Sequence, residues 1–276
     1  MADVWQGPAA PDPAPLTARD WARVVRRGLP LGLLVFGGLL ILLLVRLFER
    51  PFYGLRRPVT PYITQGVCRA AFVLLGIKFD STGTPMLGPG AVVANHASWL
   101  DIFALNARKR IYFVSKAEVA AWPGIGWLAR ATGTVFIKRD RREAASQITI
   151  FRDRLAAGHK LLFFPEGTST DGLRVLPFKP TLFAAFFDPA LAQTLHLQPV
   201  TVAYQAPSDA DARFYGWWGD MAFGPHLLAT LAAQKQGSVT VHYHRPVRLI
   251  DFTDRKALAK TLEDTVRGGL ADHGGT

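Results

Sequence analysis

The stretch Ala91-Val92-Val93-Ala94-Asn95-His96-Ala97-Ser98-Trp99-Leu100-Asp101 decides how this chain is read. Its first four residues form a short apolar run, the pattern of a strand buried on both faces. Polar residues then open a loop. Further on, Leu161-Leu162-Phe163-Phe164 runs into Pro165-Glu166-Gly167-Thr168 in the same way. In open α/β sheets, ligands bind beyond the carboxyl ends of the strands. These two loops are therefore the first places to look for chemistry.

Working outward, Ile111–Val114, Thr134–Ile137, Leu197–Ala203 and Ser238–Tyr243 are further strand-like runs. Residues 141 to 157 carry Ile148, Phe151 and Leu155 at helical spacing, with Gly158 placed as a C-cap. The expected fold is α/β, a central mixed sheet flanked by helices, as one domain over residues 81–276. No internal repeat or long linker interrupts it.

His96 and Asp101 are five positions apart. Imidazole has an unperturbed pKa near neutrality, so it can take a proton from an alcohol and return it. It does so best when a carboxylate holds one ring nitrogen and stabilises the imidazolium. The spacing works if His96 sits in the loop and Asp101 in the first helical turn, with Ser98 as the N-cap. Taken alone, the pair is better explained as a capped helix with a satisfied histidine.

Its company reverses that preference. Asn95-His96-Ala97-Ser98-Trp99-Leu100-Asp101 resembles the first block of the glycerolipid acyltransferase family, the 1-acylglycerol-3-phosphate acyltransferases. Gly133-Thr134-Val135-Phe136-Ile137-Lys138-Arg139 resembles the second, Phe164-Pro165-Glu166-Gly167-Thr168 the third, and Gln198-Pro199-Val200-Thr201-Val202-Ala203 the fourth. The blocks stand in the family's order, and the resemblance spans about residues 65 to 250. It implies an acyltransferase with His96 as catalytic base and Asp101 as its orienting acid. It also implies an acceptor site built from Arg139, Arg142, Glu166, Gly167 and Thr168. A guanidinium suits a phosphate head group through its rigid fork of donors. Glu166 repels phosphate, so it is expected to brace the turn, fix an arginine or accept from an acceptor hydroxyl. Ser169 stands where the commonest phosphate-acceptor form has arginine, which removes one cation.

Lys plus Arg number 32 against 21 Asp plus Glu, for a net charge of +11. That balance suits an anionic membrane surface, a nucleic acid or an acidic protein. No nucleic-acid reader motif is present. The lone Cys68 allows neither an intramolecular disulfide nor a cysteine metal cluster, and reads as a small packed residue.

Residues 1–16 are rich in Ala and Pro without a core-forming pattern and read as disordered. Residues 17–80 read as a membrane-anchoring helical region. Leu29 to Val45 carries no charge, the lower limit of a membrane span, and arginines flank both its ends. Ala70 to Ile77 is a second apolar patch, which either pairs with the first in a leaflet or packs on the domain.

Other residues carry less. His242 and His244 alternate on one strand face, without a third metal ligand evident. Trp217 and Trp218 fit a lipid interface or the core equally. The expected activity is direct transfer from acyl-CoA or acyl carrier protein to a lysolipid hydroxyl, with no metal or redox cofactor, at the cytoplasmic face of the inner membrane. The first-choice acceptor is 1-acylglycerol-3-phosphate. The alternative is lyso-ornithine lipid, whose carboxylate an arginine would hold and whose amine Glu166 or Asp171 would meet. A lipid hydrolase and a non-catalytic membrane adaptor are the readings from other classes.

Overall fold

The computed structural model describes residues 4–11, 15–88, 90–137 and 144–275. The elements run α1 (Ala18–Tyr53), α2 (Thr60–Leu75), β1 (Lys78–Gly83), β2 (Gly90–Ala94), α3 (Asp101–Arg108), β3 (Tyr112–Lys116), α4 (Ile125–Thr132), β4 (Val135–Ile137), α5 (Ala144–Ala156), β5 (Lys160–Phe163), α6 (Pro189–Ala192), β6 (His196–Gln205), α7 (Phe223–Ala232), β7 (Ser238–Tyr243), β8 (Val247–Arg248) and α8 (Arg255–Ala271). The strands form one sheet in the order β1-β7-β6-β2-β5-β3-β4, with β8 paired to β6. β6 runs antiparallel to β7 and β8, and the other pairs are parallel. The mixed sheet is the expected one.

Alternation along the central strands explains their continuous apolar runs. Val92 and Ala94 face one core with Phe72, Leu100, Leu105 and Val200; Ala91 and Val93 face the other with Phe151, Leu161 and Leu258. Both faces of β2 are covered, so no polar residue is tolerated there. β1 and β8 were not expected. β1 is mostly polar and pairs only with β7 at the sheet edge, which leaves little hydrophobic signal to read.

α1 starts with a capping box. The Asp20 backbone N–H donates to Thr17 Oγ1 (3.3 Å) and the Thr17 N–H donates to Asp20 Oδ2 (2.8 Å). Its length and composition suffice to cross a membrane, and only 11% of its most apolar window is buried. Leu33, Phe36, Leu40, Leu44 and Leu47 are exposed. The inner face is tied down at one end: Arg27 Nη1 donates to the Leu231 and Ala233 carbonyls (2.8 and 2.6 Å) and Arg23 Nε to Ala232 (2.6 Å). These arginines satisfy carbonyls left open at the C-terminus of α7.

α2 packs along α1 as the second arm of a hairpin. The patch around Ala70–Ile77 serves the core, with Ala71, Phe72, Leu75 and Ile77 buried. Cys68 is likewise buried and free, a packing residue. The lipid-directed surface therefore belongs to α1. Replacing Leu40 and Leu44 by lysine should move the chain from membrane to soluble fractions while leaving its thermal midpoint nearly unchanged. Each Lys near a span's centre costs ~2.5–3.5 kcal/mol of insertion. Undiminished membrane recovery of the double variant would contradict that role.

Candidate active site

Sheet order brings the two expected loops together. β2 and β5 are neighbours in parallel register, so the loops following Ala94 and Phe163 leave the same sheet end side by side. β6 flanks β2 on the other side and extends past it.

Asn95 continues the sheet with its side chain. Its Nδ2 donates to the Val202 carbonyl (2.9 Å) and its Oδ1 accepts the Val202 N–H (2.8 Å). This substitutes for a backbone rung and fixes where the His96 loop departs. Asp101, the first residue of α3 and fully buried, carries four hydrogen bonds. Its Oδ2 meets His96 Nδ1 at 2.7 Å and accepts the N–H groups of Ala97 (2.8 Å) and Ser98 (3.0 Å). Its Oδ1 accepts from the Tyr204 hydroxyl at 2.7 Å. Burial, with the nearby Asp101 charge, pushes the Tyr204 phenol well above its usual range, so Tyr204 stays a donor. Ser98 is not the helix cap. The Asp101 carboxylate reaches back over the loop instead, and the buried Ser98 Oγ accepts the Leu100 N–H at 3.3 Å.

His96 keeps 22% of its side chain exposed. Its ring stacks on Phe164, centroids 4.0 Å apart and planes within 10°. With Nδ1 committed to Asp101, Nε2 has no partner among the described residues and faces the open side. A carboxylate on one ring nitrogen with the other left unpaired is the geometry that a general base requires.

Glu166 lies beneath the loop, 1% exposed. Its Oε1 accepts the His96 N–H at 2.7 Å and its Oε2 the Leu176 N–H at 2.9 Å. Burial raises its carboxyl to about 8, despite those two donors. Glu166 thus braces the turn and does not face an acceptor. Asp171 is similarly committed: it is buried, paired with Arg174 (2.8 Å) and bonded to the Leu173 N–H (3.1 Å). Neither carboxylate is free to meet an amine. Gly167 adopts φ +76°, a conformation open to glycine, in the turn closed by its N–H to the Phe164 carbonyl (3.1 Å). The loop is stitched to the His96 loop by the Thr170 N–H to the His96 carbonyl (2.9 Å), and the Trp217 N–H bonds the Ala97 carbonyl (2.8 Å).

Arg139 and Arg142 lie outside the described residues. Thr168 lies under the N-terminal segment: its Oγ1 accepts the Trp5 N–H at 3.3 Å. The Trp5 ring also lies 5.2 Å from the Arg174 guanidinium, and Trp218 Nε1 donates to the Pro8 carbonyl at 3.1 Å. Residues 4–11, inside the segment read as disordered, therefore pack on this end of the sheet. Trp218 is buried at 4%, so it serves packing. His242 and His244 bond Thr82 (2.7 Å) and Thr201 (2.8 Å), and among the described residues no three His, Cys, Asp or Glu converge as metal ligands.

A narrow apolar cavity of about 140 Å³ lies between α1, α2, α3 and α4, lined by Leu39, Val67, Phe103 and Phe113 among others. Phe113 stacks on Phe164, which stacks on His96, so the cavity backs onto the His96 ring.

A histidine held by a buried carboxylate at the end of a mixed sheet, beside an exposed apolar helix, is the arrangement of an enzyme that works at a lipid surface. The family model described as Acyltransferase matches residues 80–203. A lyso-ornithine lipid O-acyltransferase of Rhodobacter capsulatus is 54% identical over 97% of this chain and 97% of its own length. Another from Brucella abortus is 39% identical over 71% of this chain and 77% of its own. A 1-acyl-sn-glycerol-3-phosphate acyltransferase of Neisseria gonorrhoeae is 33% identical over 66% and 69%. The chain belongs to this acyltransferase family, whose members here act on lysolipids. The crystal structure of the 1-acyl-sn-glycerophosphate acyltransferase from Thermotoga maritima shares the fold, with a TM-score of 0.66 over 93% of this chain and 96% of that one at 20% identity.

Proposed function

We propose that the chain moves an acyl group from an acyl thioester to the free hydroxyl of lyso-ornithine lipid. The observation that carries this is the likeness to the Rhodobacter capsulatus enzyme along nearly the whole chain. The likeness to phosphate-acceptor enzymes is lower and shorter. Ser169 agrees with it, because one arginine fewer stands on the acceptor side than a phosphomonoester calls for. The first-choice acceptor of the sequence reading, 1-acylglycerol-3-phosphate, is supported at the level of the family.

In this reading His96 Nε2 takes the hydroxyl proton as the acceptor oxygen attacks the thioester carbonyl. The tetrahedral oxyanion collapses, the C–S bond breaks, and the thiolate receives the proton from the imidazolium. Asp101 orients the ring and stabilises its charged form. The reaction balances with no redox step, and the thioester, acyl-CoA or acyl carrier protein, is a substrate. Thioester donors are made in the cytoplasm, which puts the catalytic domain on that face. The apolar cavity behind Phe113 takes the acyl chain.

The test is full-length protein in membranes, given labelled thioester with either lysolipid. Lyso-ornithine lipid should be acylated at least ~10-fold faster, since one well-placed polar contact is worth that much. Preference for 1-acylglycerol-3-phosphate would overturn the acceptor assignment. Acceptor-independent release of fatty acid would indicate a hydrolase. Ala129→Leu, which narrows the cavity, should lower kcat/KM for long-chain donors more than for short-chain ones. An equal effect on both would remove the cavity from the donor path.

A further inference from the structure

A second site lies at the other end of the sheet. β2, β5, β3 and β4 run parallel, and His96 follows the C-terminal end of β2. Gly133, Tyr112 and His159 stand at the opposite ends of β4, β3 and β5. With strands rising ~3.3 Å per residue, the two ends are roughly 15 Å apart. At that far end, where α1 finishes, is an open cavity of about 520 Å³ lined by Arg46, Arg50, Arg57 and Arg130 together with Leu43 and Trp127.

The cluster is held in place by backbone. Arg46 bonds the Gly54 and Arg56 carbonyls, Arg57 Nη1 the Ala131 carbonyl (2.7 Å), and Arg130 the Ala120 carbonyl. Arg154 lies alongside, bonded to the Gly133 carbonyl and stacked over Tyr112. Glu49 is the acid paired here, to Arg46 at 3.2 Å. Its oxygens are also taken by the Val59 and Thr60 N–H groups and the Thr60 hydroxyl. The Arg57 Nε is buried without a hydrogen-bond partner, and the Arg50 side chain is exposed at the cavity mouth. The excess positive charge is felt nearby: burial, Arg154 and Arg57 push His159 down to about 3, leaving it uncharged.

Several guanidiniums facing one cavity, with Glu49 the acid paired to them among the described residues and its oxygens saturated, call for an anion, and the fork geometry favours phosphate. The apolar half selects among phosphates. Leu43 and Trp127 form a wall, Trp127 is 60% exposed, and Leu44, Leu47 and Phe48 continue the exposed surface of α1. Tryptophan and arginine at the end of an apolar helix mark the head-group level of a bilayer. We propose that this cavity binds the head group of an anionic bilayer phospholipid, with the lipid's acyl chains along α1, and so fixes the depth of the enzyme independently of its acceptor.

The test uses the purified full chain in neutral detergent, with native mass spectrometry of added dioleoylphosphatidylglycerol, dioleoylphosphatidylcholine and coenzyme A. One phosphatidylglycerol per chain should be retained in preference to phosphatidylcholine. Arg50→Gln with Arg57→Gln should weaken that binding by ~10-fold or more. Arg50→Glu, at an exposed side chain, should do the same without affecting the fold. Arg26→Gln, exposed on the other half of α1, should bind as the unaltered chain does. Equal retention of both lipids, or unaltered phosphatidylglycerol binding by the variants, would overturn the proposal. So would variants that lose coenzyme A and keep the lipid.

Discussion

His96→Ala should lower acyl transfer by ~10²–10⁴-fold while the protein stays folded and membrane-bound, the range expected for loss of a positioned general base. The side chain is partly exposed and, among the described residues, its one polar side-chain contact is Asp101, so its removal leaves little unsatisfied. Asp101→Asn should approach the same loss by a different route. The carboxylate accepts from the His96 ring, two backbone N–H groups and the Tyr204 hydroxyl. An amide has one oxygen, so its NH₂ must face donors on one side. Either the ring loses its tautomer or the loop loses its anchor. Thermal midpoint separates the two variants: Asp101→Asn should lower it and His96→Ala should not. Tyr204→Phe should cost less, since it removes a single donor. Turnover within threefold of normal in clean His96→Ala protein would end the base assignment.

Glu166→Gln should reduce kcat by ~10-fold or more and lower stability by ~1–3 kcal/mol at acid pH, the cost of a buried donor left unpaired. Both Glu166 oxygens accept backbone N–H groups, one of them that of His96 itself. Gln keeps one acceptor and turns the other into a donor facing a donor. The pH dependence follows from its carboxyl, raised by burial to about 8 from an ordinary 4.5. Between those values the folded chain holds a proton that the unfolded chain has released. Stability contributed by this group is therefore present below about 4.5 and is lost as pH rises to about 8. Glu166→Gln cannot titrate, so that slope should flatten in thermal melts taken across the window. An unchanged slope would remove Glu166 as its source. An unchanged kcat would remove it as the support of the His96 loop.

The central strands were legible because they obey local rules, whereas His96 and Asp101 stood out through the resemblance of the blocks around them. β2 is buried along its whole length and carries no polar residue, and β5 is the same after Lys160 at its start. α1 was legible for the same reason, since a helix facing lipid must be apolar along its length. The role of Glu166 was not. An acid after Pro165 reads equally as ligand or brace until β5 is set beside β2 and the carboxylate meets the His96 N–H. Tyr204 lies one residue beyond the strand-like run Leu197–Ala203 and carries no signal of its own in the sequence. Its bond to Asp101 exists because β6 outruns β2 in the sheet. Trp5 sat in a stretch whose composition argues against order, and its partners Thr168 and Arg174 are far along the chain. By itself the sequence determined the layered α/β class and the apolar helix, because periodicity along the chain sets them, and it singled out His96 and Asp101 through the family resemblance of the blocks around them. Only the tertiary structure decided which carboxylates are taken up by backbone, what braces the His96 loop and where four arginines gather, because those depend on which strand ends lie side by side.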